Sequence, residues 1–237
     1  MKDFLIVAKM FFKNIVKYAG GIPVLVLAYF LYSLLINVFN GFAVSMGTSL
    51  MTGFLRWFLL LAIMAHFSGL MSQLFRRGKL TMEDLTIFNS YYIGPLSRIF
   101  FVFYLVEMLA NMFIFRLDFT PEAFMAILII WEAVKAPAIE AVYISNTEVQ
   151  DYFYKMIDLW KENFLVCLVY LVICISVYLK IGRQYSLISM IPGSGALPYI
   201  LVHSIIMTIF LYTKGILYKI LAETSPQSRA YREGQAR

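Results

Sequence analysis

Long uncharged apolar runs alternate with short basic stretches along this chain. From Tyr18 to Leu55 no residue is charged, and one helical span fits at about 20–40, with 41–53 left as an outer connection. About 20 mainly apolar residues are what a helix needs to cross a bilayer. A second uncharged run occupies 57–75. A third span, placed at 96–115, carries only Glu107 between Ile99 and Phe115. The fourth, 121–144, opens with Thr120 as N-cap and Pro121 at the first helical position. It carries Glu132 and Lys135 near its middle and Pro137 just after them. The fifth is expected at 163–179. The sixth, at 198–214, follows a lead-in broken by Gly193, Gly195 and Pro198.

Other segments have a helical period but too many charges to span. Phe4, Val7, Ala8, Phe11, Ile15 and Tyr18 form one stripe, with Lys9, Lys13 and Lys17 on another. This predicts a basic amphipathic helix lying on the membrane. A second such helix is expected where Val149, Tyr152, Phe153, Met156, Ile157 and Trp160 recur, opened by Thr147 and Gln150 as a capping box. Each ends at an asparagine, Asn14 or Asn163, and runs into a span. That pattern predicts a weak internal duplication of spans one and two in spans five and six, although any inner-leaflet helix that leads into a span has the same form. Thr81 and Asp84 look like a further helix start, with Leu85, Phe88 and Tyr92 on its apolar face.

Composition turns these runs into a class. Of 237 residues, 61% are hydrophobic and 14% charged, against about 45–50% and about 25% in globular domains. A soluble chain of this size has too little interior for that much apolar surface. Disorder, a disulfide-stapled secreted domain and nucleic-acid binding are excluded on the same ground. The net charge of +6 bears on topology. With six spans and an inner N-terminus, fifteen Lys and Arg fall inside and four (Arg56, Arg116, Lys180, Arg183) outside. The positive-inside rule favours that arrangement. We therefore expect an all-α integral membrane protein of about six transmembrane helices, a single domain over 1–222 with a polar cytoplasmic tail at 223–237. Its expected place is the cell membrane, with both termini cytoplasmic.

Residues 136–173 run as a proline-containing helix, a polar turn, an amphipathic helix ending in asparagine, then a span. This stretch, together with the Arg-Gly turn and aromatic return of 77–109, resembles small polytopic prokaryotic membrane families. Among them are the membrane domain attached to some glycerophosphodiesterases and relatives of unknown function. The resemblance implies architecture more than activity. A second resemblance is to permease subunits of ATP-binding-cassette exporters, carried by Gly78-Lys79-Leu80, Pro95-Leu96-Ser97-Arg98 and Ala196-Leu197-Pro198-Tyr199. The gap between the first two pieces is longer here than in that family. It implies a separate ATPase docking on a cytoplasmic loop that contains Arg76, Arg77, Lys79 and Arg98.

Little in the sequence carries chemistry. There is no phosphate loop, no HExxH, no GxSxG and no CxxC, so neither an enzyme nor a cofactor is expected. His66 and His203 stand alone in spans two and six, where an interhelical hydrogen bond is a better reading than a metal site. Cys167 and Cys174 are about 10 Å apart along one helix, too far for a disulfide. Glu107, Glu132, Lys135 and Glu140 are intramembrane charges, which are costly and are often functional. Glu132 and Lys135, three residues apart, can pair on one helix face, as a polar pathway, a structural ion pair or a contact with a partner. Gly41, Ser45, Ser49 and Gly53, and again Ala65 and Gly69, have the spacing of a close helix-packing face, within the chain or as an oligomer contact. The leading expectation is a non-enzymatic membrane subunit that scaffolds or regulates a larger assembly. Its expected partners are membrane lipids and either other integral membrane subunits or further copies of itself; no nucleic acid is expected. The alternative is an export permease working with a separate ATPase.

Overall fold

The computed structural model describes residues 2–46, 50–114, 120–188 and 197–235, and among these there is no strand. Helix α1 (Lys2–Tyr18) leads through a 3-10 turn into α2 (Ile22–Met46), followed by α3 (Leu50–Arg77). Two further 3-10 turns, Met82–Thr86 and Ser90–Tyr92, precede α4 (Ile93–Ile114). Then come α5 (Pro121–Lys135), α6 (Ala138–Ser145), α7 (Val149–Ile188), α8 (Leu197–Glu223) and α9 (Pro226–Gln235). Among the described residues five stretches are long and apolar enough to cross a membrane: Asp3–Ala43, Met51–Arg77, Ser90–Ala110, Val149–Val177 and Leu197–Glu223. The chain is an all-helical, multi-pass membrane protein.

The expected fourth span is two helices. α5 has 15 residues, about 22 Å of rise, and a turn at Ala136 and Pro137 separates it from the eight-residue α6. Proline removes a backbone donor and crowds the preceding turn, so the helix breaks where Pro137 enters. At the other end of α5, Thr120 accepts a hydrogen bond from the Ala123 N–H at 3.3 Å, as an N-cap should. The two asparagines behave alike only in part. Asn14 donates to the Met10 carbonyl (2.9 Å) and Asn163 to the Leu159 carbonyl (3.1 Å). Yet Asn163 is itself the kink, with φ −127° and ψ 30°, whereas α1 runs on to Tyr18.

The core is concentrated at one end of the bundle. Leu25, Leu70, Met71, Leu74, Leu96, Ala141, Tyr152, Tyr212 and Ile216 are buried there, from elements spread over the whole chain. Gly215 shows how closely the helices approach: a Cβ there would meet the Tyr143 hydroxyl and lie 2.9 Å from Met71 Cε. Towards the other end Val38, Phe42, Met51, Phe58, Met112, Tyr199 and Val202 are exposed, as lipid-facing positions are.

Helix α9 stands where a polar tail is expected, and its docking explains the difference. Arg229, fully buried, donates to both Asp3 carboxylate oxygens (2.8 and 2.9 Å), to Asn163 Oδ1 (2.6 Å) and to the Thr224 carbonyl (2.6 Å). One guanidinium thereby joins α1, the α7 kink, the end of α8 and α9, a use for which its fixed fork of donors is suited. It also puts both chain ends at the same end of the bundle. Arg229→Gln leaves these acceptors without their donor and should cost about 3 kcal/mol, read as a lowered thermal midpoint in detergent. Asp3→Asn, which keeps Asn163 and Thr224 as acceptors for the guanidinium, should lower that midpoint less.

Candidate functional site

Helices α4 and α5 hold the first charged group of interest. Lys135 Nζ lies 2.7 Å from Glu107 Oε1 and 2.7 Å from Glu132 Oε1. Trp131 Nε1 donates to the same Glu107 oxygen at 2.9 Å. The expected Glu132–Lys135 pair is therefore part of a triad, because α5 returns along α4 and brings Lys135 back to the level of Glu107. Two carboxylates and one ammonium leave a net charge of −1. The side chains of Glu107 and Glu132 are 43% and 44% exposed, so the triad stands on the flank of the bundle.

Glu140 belongs to a different pair. It meets Lys214 of α8 at 3.0 Å, with both side chains only 2% exposed. The sequence places Lys214 on the inner side and offers no partner for it. Its position at the end of an expected span is the available signal. The break at Pro137 is what turns Glu140 inward, on a helix whose Ala138, Ala141, Val142 and Tyr143 are also buried.

Both histidines lie between helices. The Tyr32 hydroxyl and His66 Nδ1 are 2.5 Å apart, bridging α2 and α3. His203 is buried, its ring 6.2 Å from that of Tyr29. Among the described residues no group of His, Cys, Asp and Glu is placed to hold a metal. Cys167 and Cys174 are buried and unbridged.

The basic loop folds back on the bundle, and the helix start expected at Thr81 and Asp84 is present but opens only the short 3-10 turn Met82–Thr86. Asp84 accepts from the Thr81 N–H (2.8 Å) and hydroxyl (3.0 Å), and from Arg77 (3.1 Å). Five residues on, the Asn89 side chain accepts from the Tyr91 N–H at 3.1 Å and caps the second 3-10 turn, Ser90–Tyr92. Phe88 consequently sits against His66, with centroids 5.8 Å apart, and Asn89 packs on Gly69. Arg76 and Lys79 are exposed, while Arg98 reaches Glu148 at 3.4 Å.

The packing face needs correction. Gly41 and Gly53 are exposed, and a methyl group added at either would meet nothing within 4 Å. The Ser45 side chain and Ser49 lie outside the described residues. Spacing by four marks a stripe but not the side on which a neighbour lies. Ala65 and Gly69 are buried. The close approaches to Leu74 and Tyr143 are made at Gly21 and Gly215, which belong to no small-residue stripe.

In comparisons with family models, curated proteins and solved structures, nothing matches this chain.

Two predictions come from these groups. Glu140→Gln leaves the Lys214 ammonium buried without its counter-charge and should cost about 3–5 kcal/mol. Adding Lys214→Met should recover most of the thermal midpoint in detergent. The second concerns pH. The Thr81 N–H bond, with Arg77 beside it, holds the Asp84 carboxyl below its ordinary value of 3.8. The loop's stability from this source is therefore complete above about pH 3.8 and is lost as pH falls through the lower value of the folded state. Protease nicking within 78–92 should stay low down to that point and rise below it, and Asp84→Asn should be nicked already at neutral pH.

Proposed function

We propose that the chain is a non-enzymatic integral membrane subunit that scaffolds or regulates a larger assembly in the cell membrane. The half-exposed Glu107–Lys135–Glu132 triad carries this reading. Charged residues at membrane depth face a protein interior or a water-filled cavity, because lipid offers them no hydrogen bonds. A net negative triad on the flank of α4 and α5 calls for a covering surface with donors, such as a polar helix of another subunit or of a second copy. The exposed apolar residues around it, among them Met108, Ile127 and Ile130, supply area for that contact.

Topology supports the same picture. The contact between Asp3 and Arg229 supports a reading with both ends on one side, which goes with an even number of crossings. Beside the five helices that are long and apolar enough to cross among the described residues, we read α5 and α6 together as a sixth crossing. The distribution of basic residues favours the cytoplasm as that side. The likeness of 136–173 to small polytopic prokaryotic families is in keeping with this arrangement.

Mild-detergent purification followed by mass spectrometry tests the proposal. We expect integral membrane partners, or a homo-oligomer, to be recovered with the native chain. The combined change Glu107→Gln, Glu132→Gln and Lys135→Met should release them while the chain stays monodisperse. Recovery of a stoichiometric ATPase subunit would replace this reading with the export permease, and an unaffected monomer would remove it.

A further inference from the structure

A cavity of about 400 Å³ lies between α2, α3, α6 and α8. Arg56 lines one end of it, and Ile139 and Glu140 the other. Between them the walls are largely apolar, with Leu60, Ile63, Met64, Phe67 and Met207. Polar groups along the walls are engaged within the protein. Tyr32 bonds His66, Ser33 lies 3.5 Å from the Ser204 hydroxyl, and Glu140 is paired with Lys214. Arg56 differs. It is exposed, α3 contains no acidic residue, and among the described residues no ion pair includes it. Phe54, Trp57 and Phe58 stack against one another beside it, the kind of aromatic group found at headgroup level.

We propose that this cavity binds an anionic single-chain amphiphile, its acid head on Arg56 and its chain along the apolar walls. The dimensions agree with that occupant. Arg56 and Phe67 are eleven residues apart on one helix, about 16 Å of rise, and one leaflet is half of a hydrocarbon core about 30 Å thick. A chain whose head is held at the interface therefore ends near Phe67, where the packed layer around Leu70 and Met71 closes the bundle. A guanidinium holds a carboxylate or a phosphate through paired N–H donors, so both a free fatty acid and a lysophosphatidate carry the required chemistry. A neutral chain lacks the head contact, and an anion without a chain lacks the wall contacts. This site is separate from the α4–α5 triad and stands or falls independently of the proposed assembly.

The test is equilibrium binding of oleate, oleoyl lysophosphatidate and monoolein to the full chain in nanodiscs of zwitterionic lipid. Oleate, lysophosphatidate or both should bind more tightly than monoolein, and whichever binds names the head group. Arg56→Gln should weaken the anionic probes about tenfold and leave monoolein unchanged, and Arg56→Lys should restore part of the loss. Ile63→Trp, which fills the cavity, should abolish binding, and Leu60→Trp serves the same purpose if that variant is not monodisperse. Equal affinity for all three probes would overturn the proposal. So would an oleate affinity indifferent to Arg56→Gln, or competition by inorganic phosphate as effective as by oleate.

Discussion

Three cations, Lys135, Lys214 and Arg229, are drawn away from bulk water by the way this bundle packs. Each is held by an acidic side chain from another part of the chain or from the adjacent turn. Removing the partner of Lys214 or Arg229 leaves a buried charge that neither water nor lipid can solvate, and all three pairs constrain which helices can be neighbours. Lys214 with Glu140 sets α6 against α8, Arg229 with Asp3 sets α9 on α1, and Lys135 with Glu107 sets α5 against α4. The apolar contacts around them supply area but not register, because one apolar side chain in lipid is much like another.

The division of the bundle into a packed end and a splayed end follows from those constraints. At the packed end short elements with polar ends, α6, the two 3-10 turns and the first part of α7, fill the space between the long helices. Buried tyrosines also bond the backbone of adjoining helices: Tyr152 donates to the Val134 carbonyl of α5, and Tyr212 to the Ile15 carbonyl of α1 at 2.6 Å. At the splayed end the long helices face lipid, and the gap between α2, α3 and α8 is the cavity that Arg56 caps. A bundle closed at one end and open at the other suits a protein whose contacts, with a partner or with an amphiphile, are made from within the membrane.

Class, the long apolar helices and the amphipathic stripes are legible in the sequence, since each depends on hydrophobic periodicity and the length of uncharged runs. The amphipathic stripe of α1 is an example. Val7 and Tyr18 are buried while Lys9, Lys13 and Lys17 remain exposed. The loop after α3 reads as a helix in the sequence because a capping box marks a start without marking how far the helix runs. It ends at Thr86, where the backbone of Ile87 turns extended. Small residues at Gly41 and Gly53 mislead for a related reason: a stripe has no partner until another helix is laid against it.

By itself, then, the sequence determined that this chain enters a membrane as helices and where along it most of the long ones lie, because those properties come from local spacing and from the cost of exposing apolar or charged groups. Only the tertiary structure decided which charges meet. Glu107 and Lys135 are 28 residues apart, Glu140 and Lys214 are 74 apart, and Asp3 and Arg229 are 226 apart. Pairing across such separations depends on helix neighbours and on the turn at Pro137, and no periodicity along the chain encodes either.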